Sequence, residues 1–396
     1  MAIYAASHVV TSHGLLSPGW IAVEGGRIAG LGKGDPAVTA PVADIGGPVT
    51  DLGNQWVLPG FVDIHVHGGG GTSFTEGGAE DARRAAAFHR RHGSTRIVAS
   101  LVTAPVDELA ERSAMLADLA DEGAIDGIHL EGPFLSAARC GAQDPRYLID
   151  PDLAAFERLR AAARGHLRMI TIAPELPGAT ELIRAAVAAG VVAAVGHTDA
   201  TAEVTAAAID AGASHATHLF NGMRPLDHRQ PGPAGALLDA AADVRVTCEA
   251  ISDGTHLHDM TIRLIARAGG IVLVTDAMAA AGMPDGDYHL GQQAVTVDGG
   301  VARLAEGTPG AGSIAGSTAT MAHVVRHAIT SAGLAVSEVA AAASGTPARV
   351  AGLAGAGALV PGAVADLVVL DEDFRLTAVM ARGQWVEQWV EQRVER

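Results

Sequence analysis

Lysine is nearly absent from this chain: Lys33 is the only one in 396 residues. Basic residues as a whole are outnumbered, 27 Lys and Arg against 44 Asp and Glu, for a formal charge of −17. A chain with that field repels nucleic-acid phosphates and anionic membrane surfaces, which argues against a role on either. Aromatic residues make up only 4%, so the core must be packed from small side chains rather than large rings. Two cysteines, Cys140 and Cys248, are too few for a disulfide framework at this size. That points to a reducing, cytoplasmic setting. The first twenty residues lack a basic stretch followed by an apolar one, and no secretory signal is read there. No uncharged run suits a bilayer either. Val350 to Ala365, for example, is interrupted by Gly352, Gly355, Gly357, Pro361 and Gly362. At 48% apolar and 18% charged the chain is too hydrophobic for disorder and long enough to bury a large core.

Both ends read as short strands. Trp20–Val23 and Arg27–Leu31 flank a Glu-Gly-Gly turn, and Asp51–Leu58 follows. Asp366–Leu370, Leu376–Met380 and Gln384–Val390 repeat this texture at the far end, where Trp-Val-Glu-Gln occurs twice. One small β domain built from both termini, residues 1–58 and 355–396, is expected. Residues 59–354 alternate instead. Apolar, β-branched runs appear at Phe61–Val66, Thr95–Ser100, Ile125–Leu130, Leu167–Ile172, Val191–Val195, His215–Phe220, Val244–Ile251 and Ile271–Val274. Segments of helical period lie between them at Glu80–His92, Asp107–Leu119, Leu153–Ala163, Thr180–Ala189, Ala202–Ala211 and Met260–Ala268. Eight strands alternating with helices predict an α/β fold with a closed (β/α)8 barrel of TIM type. An open doubly wound sheet would carry a Gly-rich nucleotide turn after its first strand. None is present. The run Gly68–Gly71 lacks the Gly-Lys-Ser/Thr sequel of a phosphate loop.

In such a barrel, chemistry gathers at the carboxyl ends of the strands. The first strand ends Asp63-Ile64-His65-Val66-His67, which puts three ligand-type side chains on one face and two aliphatic ones on the other. The third ends in Glu131, the fifth in His197 followed by Asp199, the sixth in His218 and Asn221, and the eighth in Asp276. A lone histidine near a strand end is more often structural. Together these residues offer a His2Glu site for a zinc-like ion with room for water, and a free aspartate as base. His129 shares a face with Glu131 and stands behind it. His215 is an odd number of residues from His218 and is expected to face away. His89, His92, His166, His323 and His327 fall on predicted helices or loops and read as structural. Cys248 reads as a buried apolar residue and Cys140 as a free thiol in the loop after the third strand. Because Lys33 lies outside the barrel, no carbamylated lysine can bridge two metals, which disfavours cyclic-amide hydrolases of the dihydropyrimidinase type.

The segments Pro59-Gly-Phe-Val-Asp-Ile-His-Val-His-Gly68, His129-Leu-Glu-Gly-Pro-Phe134, Gly196-His-Thr198, Thr217-His-Leu-Phe-Asn-Gly-Met223, Ser252-Asp-Gly-Thr-His256 and Val274-Thr-Asp-Ala277 together resemble the N-acetylglucosamine-6-phosphate deacetylases of the amidohydrolase superfamily. The likeness runs on through Ala315-Gly-Ser317 and the closing Pro361–Leu367 segment, nearly the whole chain. It implies a divalent metal, one or two per subunit, with Glu131, His197 and His218 as ligands of the main ion and His65 and His67 available to a second. Zinc, iron, manganese and cobalt all suit such a donor set. The resemblance further implies Asp276 as general base then acid, and Gln143 as a donor to the acetyl oxygen. Asn221 and Gly222 would contact the sugar phosphate largely through backbone amides, and Arg229 and His256 would neutralise it. The implied assembly is a homodimer whose partner subunit contributes to the phosphate site, and the implied reaction serves amino-sugar catabolism and cell-wall sugar recycling. A related deaminase or N-acyl amino acid deacylase would share the metal and Asp276 but have no need of Arg229 and His256. An inactive scaffold of this fold would have no need of the ligand set at all.

Overall fold

The computed structural model describes residues 1–36 and 48–386. Contacts divide them into two units: residues 1–63, 89–96 and 321 onward, and residues 64–88 with 97–320.

In the first unit, two sheets form a sandwich from both ends of the chain. One has the order Arg27–Lys33, Gly19–Glu24, Ala2–Ala6, Val49–Asp51. The other runs Gln384–Trp385, Leu376–Ala381, Leu367–Leu370, Trp56–Pro59, His8–Thr11, Gly14–Leu16. Leu367–Leu370 pairs antiparallel with Trp56–Pro59, so the C-terminal strand is stitched directly to an N-terminal one. Val9, Ile21, Ile28, Val57, Leu367, Val369 and Met380 close the core between the sheets. The expected single strand over Asp51–Leu58 is in fact two short strands, Val49–Asp51 and Trp56–Pro59, that join different sheets. Gly53, at φ +73°, makes the turn between them. The part of the expected Gln384–Val390 strand beyond Val386, and the second Trp-Val-Glu-Gln, lie outside the described residues.

The eight-stranded sheet follows chain order: β1 (Phe61–Val66), β2 (Ser94–Leu101), β3 (Gly127–Glu131), β4 (Leu167–Ile172), β5 (Val192–Val195), β6 (His215–Ala216), β7 (Thr247–Ala250) and β8 (Ile271–Leu273). The pairings from β2 through β8 are parallel. Parallel strands are covered on both faces, and β1, β3 and β7 are accordingly buried almost throughout. The ring closes beyond β8, where Val66 bridges Ala277. There the Asp276 N–H donates to His65 O at 2.8 Å and the His67 N–H to Ala277 O at 2.7 Å. Closure thus sets His65, His67 and Asp276 side by side. The eight-strand barrel and the two-ended sandwich agree with the fold expected from the sequence.

The six expected crossover helices stand where periodicity places them, for example α1 (Val106–Asp121), α2 (Leu153–Ala162), capped by the Asp152 carboxylate on two backbone N–H groups, and α3 (Ala202–Asp210), capped by Thr201. The helix Gly232–Ala242 is not among the expected ones. Also unexpected is an antiparallel insert, Gly286–Leu290, Gln293–Asp298 and Val301–Leu304, whose Leu290, Val295 and Leu304 pack with Val102, Met278 and Ala315.

Candidate active site

The carboxyl ends of the strands bring two donor groups together, both buried: Glu131, His197 and His218, and His65, His67 and Asp276. Glu131 Oε1 lies 2.8 Å from His218 Nε2 and 3.0 Å from His197 Nε2, and those two nitrogens are 3.1 Å apart. In the other group, His65 Nε2 is 3.2 Å from His67 Nε2, and Asp276 Oδ1 is 3.2 Å from His67 and 3.4 Å from His65. Glu131 spans both, with Oε2 3.3 Å from His67 Nε2. Ligands about 2.1 Å from one tetrahedral ion stand about 3.4 Å from each other, close to these separations. Paired imidazole nitrogens cannot both carry a proton aimed at the other, whereas a shared cation takes both lone pairs. The donor set therefore fits a divalent ion at each group. Asp63, though on the same strand and buried, belongs to neither.

The backbone at these positions is unusual. His197, His218 and Asp276 have φ of +46°, +25° and +49°, a region that side chains with a Cβ rarely adopt. Such strain is tolerated where surroundings over-determine it, and it clusters at functional sites. His197 shows the constraint: its Nδ1–H donates to Arg139 O at 2.9 Å, leaving Nε2 free to face Glu131. Gly222, at φ +61°, lies so close that a Cβ there would sit 2.8 Å from His197 Nδ1. The Arg139 side chain is tied to Asp199 at 2.8 Å and Arg224 reaches the same carboxylate at 2.6 Å. The two guanidinium groups hold the Asp199 carboxyl down to about 2.

Behind the ligands lies a polar shell. His129 joins Ser100 Oγ at 3.0 Å to Thr171 Oγ1 at 2.8 Å. Burial and the neighbouring His65 charge push its imidazole well below the ordinary value, so it stays neutral. Glu249, on β7 and fully buried, accepts from His65 Nδ1–H at 2.8 Å, from the His218 backbone N–H at 2.8 Å and from His215 Nε2–H at 3.0 Å. His215 therefore faces this shell, contrary to the parity expectation. The strand stops at Ala216, and the positive φ at His218 breaks the alternation on which counting depends. Burial opposes charge at Glu131 and Glu249, but adjacent imidazoles hold both carboxylates well below their ordinary range. Conversely, His65, His67 and His197 are desolvated, yet nearby carboxylates raise all three. The nest calls for positive charge, from protons or from a cation.

A cavity of about 310 Å³ opens over these groups, lined by His67, Glu131, Gln143, His197, His218 and Asp276 and, further out, by Asn221, Gly222 and His256. Its size falls in the range of small-molecule sites, about 300–1,000 Å³. Leu290 of the unexpected insert forms part of the wall. Gln143 accepts from the Thr103 N–H at 2.7 Å and donates from Nε2 to Glu131 Oε2 at 2.6 Å. Asn221 spends its own N–H on His218 O and its side-chain amide on the carbonyls of His218 and Leu219, so its expected backbone contact to a ligand is not free. His256 Nδ1–H donates to Asp253 at 2.8 Å, and although burial lowers it, this carboxylate holds the imidazole above its ordinary value. Arg229 is the exception. It lines a separate cavity with Thr201, Arg224 and Gly232 and does not line the one over the donor groups.

Glu249 and Arg139 went unread in the sequence. For Glu249 the signal was available: one carboxylate inside the otherwise small, buried strand Thr247-Cys-Glu-Ala250. For Arg139, whose backbone carbonyl acts, there was none.

The Amidohydrolase family model matches residues 56–386. A curated N-acetylglucosamine-6-phosphate deacetylase of Lysinibacillus sphaericus is 34% identical, covering 83% of this chain and 85% of that protein. An N-acetylgalactosamine-6-phosphate deacetylase of Escherichia coli O157:H7 is also 34% identical, over 96% of this chain and 99% of its own. Among solved structures, a mutant N-acetyl-D-glucosamine-6-phosphate deacetylase of Mycobacterium smegmatis in complex with N-acetyl-D-glucosamine-6-phosphate aligns with a TM-score of 0.91 and 47% identity, over 97% of this chain and 98% of that one. The chain belongs to the amidohydrolase family, and its likeness to the N-acetylglucosamine-6-phosphate deacetylases extends over nearly its whole length.

Proposed function

We propose that the protein hydrolyses the acetamide of N-acetylglucosamine 6-phosphate to glucosamine 6-phosphate and acetate. The observation that carries this reading is one cavity lined by a metal-type donor nest, by Asp276 and by His256. Glu131, His197 and His218 would hold the main ion, and His65 and His67, beside Asp276, a second. Zinc suits the nitrogen and oxygen donors best, with iron, manganese or cobalt as alternatives. When bound, such a cation lowers the pKa of its water toward neutrality and polarises the amide carbonyl.

The chain's own residues do the rest. Asp276 takes the proton of the attacking water as a bond forms to the acetyl carbon. It then returns that proton to the amine nitrogen as the carbon–nitrogen bond breaks. Gln143 holds the outer oxygen of Glu131 and stands in the cavity as a donor to the developing oxyanion. Gly222 and His256 form the phosphate end, where Asn221 lines the cavity. Arg229 serves it best from a second copy of the chain, which makes the active form a homodimer. We assign the sandwich to residues 1–58 and 355–396 and the hydrolase to 59–354, in a reducing cytoplasm that suits two free thiols.

The test is acetate release from N-acetylglucosamine 6-phosphate, its galactosamine epimer and the unphosphorylated sugar, paired with elemental analysis. The glucosamine phosphate should turn over with the highest kcat/KM, and equal rates on all three would reject the phosphosugar assignment.

A further inference from the structure

We propose that Glu249 is a positioning residue that sets both metal-binding groups from a single carboxylate. This rests on the proposed metal site and goes beyond it. The argument begins with how many donors one buried side chain receives. Oε2 accepts two, the Nδ1–H of His65 and the backbone N–H of His218, each at 2.8 Å. Oε1 accepts the third, from His215 Nε2 at 3.0 Å. His65 belongs to one donor group and His218 to the other.

The consequences follow from imidazole chemistry. A histidine that donates Nδ1–H to a carboxylate carries its lone pair on Nε2, and the partner also fixes the ring plane. For His65 that nitrogen is the one beside His67 and Asp276. His218 needs a different kind of support. Its φ of +25° is costly, and its Nδ1 has no hydrogen-bond partner among the described residues, so its ring is held from the main chain rather than from its own far nitrogen. The Glu249 oxygen supplies that anchor. A second main-chain bond, Leu219 N–H to Glu249 O at 3.0 Å, fastens the same turn to β7.

The geometry also dictates how a substitution behaves. Glu249→Gln can keep every donor satisfied in one way only. Its carbonyl must take the Oε2 place, since two N–H groups point there, and its amide then faces His215. His215 must accept on Nε2 and move its proton to Nδ1, where Thr247 Oγ1 waits at 2.7 Å. Glu249→Leu leaves three donors without an acceptor.

The probe is cadmium, titrated by competition with a chelator against the intact protein. The His65 group is distinguished from the Glu131 group by a His67→Ala control. Unaltered protein should bind two ions. Glu249→Leu should weaken the ion at the His65 group by about 10- to 100-fold, the usual effect of losing such a partner. Glu249→Gln should restore it to within about threefold. In cadmium-loaded Glu249→Gln, nitrogen NMR of the imidazoles should show His65 still protonated on Nδ1 and His215 switched from Nε2 to Nδ1. Undiminished binding by Glu249→Leu overturns the inference, as does a Gln variant as weak as the Leu one. If the Leu variant does not fold, the NMR of the Gln variant decides: an unswitched His215, or a His65 without its Nδ1 proton, overturns it. A protein that binds a single ion also overturns it, while leaving the main ion of the proposed function intact; one that binds none removes both.

Discussion

Gly222→Ala is a small change with a worked consequence. The new methyl would lie 2.8 Å from His197 Nδ1 and 3.1 Å from its Cε1, and the residue would have to keep φ near +61°. Ordinary contact begins near 3.4 Å, so the His197 ring must retreat by about 0.6 Å. It has nowhere to go. Its far side is held at 3.0 Å by Glu131 and at 3.1 Å by His218, and its near nitrogen is bonded to Arg139 O. The left-handed backbone costs an alanine about 1–2 kcal/mol, and a lengthened Nδ1–H···O bond adds about 1 kcal/mol. The backbone part lowers stability whether or not an ion is bound. The lengthened bond does so too, and the displaced ring also acts on the ion: losing its orienting hydrogen bond should weaken affinity about 10- to 100-fold. Thermal melting of the metal-free protein and chelator competition read the two effects separately. A variant that melts earlier yet binds the ion as tightly as before would show that His197 can adjust, and the reasoning from ring confinement would be wrong.

Other outcomes follow from the same geometry. Asp276→Asn should abolish acetate release while the Glu131, His197 and His218 ion remains measurable by elemental analysis; retained turnover would remove the proposed base. Because His65, His67 and His197 are raised by their carboxylate neighbours, protons compete with the cation as pH falls through those elevated values. Ion affinity should therefore drop on acidification, with proton uptake on release, and calorimetry in buffers of different ionisation heat would measure it. His256 is held above its ordinary value by Asp253, so its charge is present below that raised value and lost above it. KM for the phosphosugar should climb at alkaline pH, and Asp253→Asn should bring the climb to lower pH with kcat less affected. Arg229→Ala should raise KM for the phosphosugar far more than for the unphosphorylated sugar. If Arg229 works on a neighbouring subunit, mixing Arg229→Ala with Asp276→Asn should regenerate sites that neither variant has; no recovery in exchanging dimers would place Arg229 elsewhere.

What could be read in advance, and what could not, divides along a physical line. His65 and His67 were legible because a strand has a fixed period: ligand-type residues alternating with Ile64 and Val66 leave one arrangement that buries the aliphatics. Glu131, His197, His218 and Asp276 were legible as a set because a closed parallel barrel delivers every strand to the same rim. The same period misled at His215. Parity holds only while the backbone stays extended, and here it leaves the strand after Ala216 and passes through positive φ at His218 and Phe220. The insert at 286–304 shows an alternating pattern of its own, yet periodicity gives a strand and not its address, and nothing local says that Leu290 walls a cavity. Arg229 marks a harder limit. A motif can associate an arginine with a phosphate, but it cannot say on whose chain. The fold puts Arg229 in a cavity with Arg224 and Gly232 and not in the one that His256 lines, and Arg229 stands in an irregular segment where no periodicity reports which way a side chain faces.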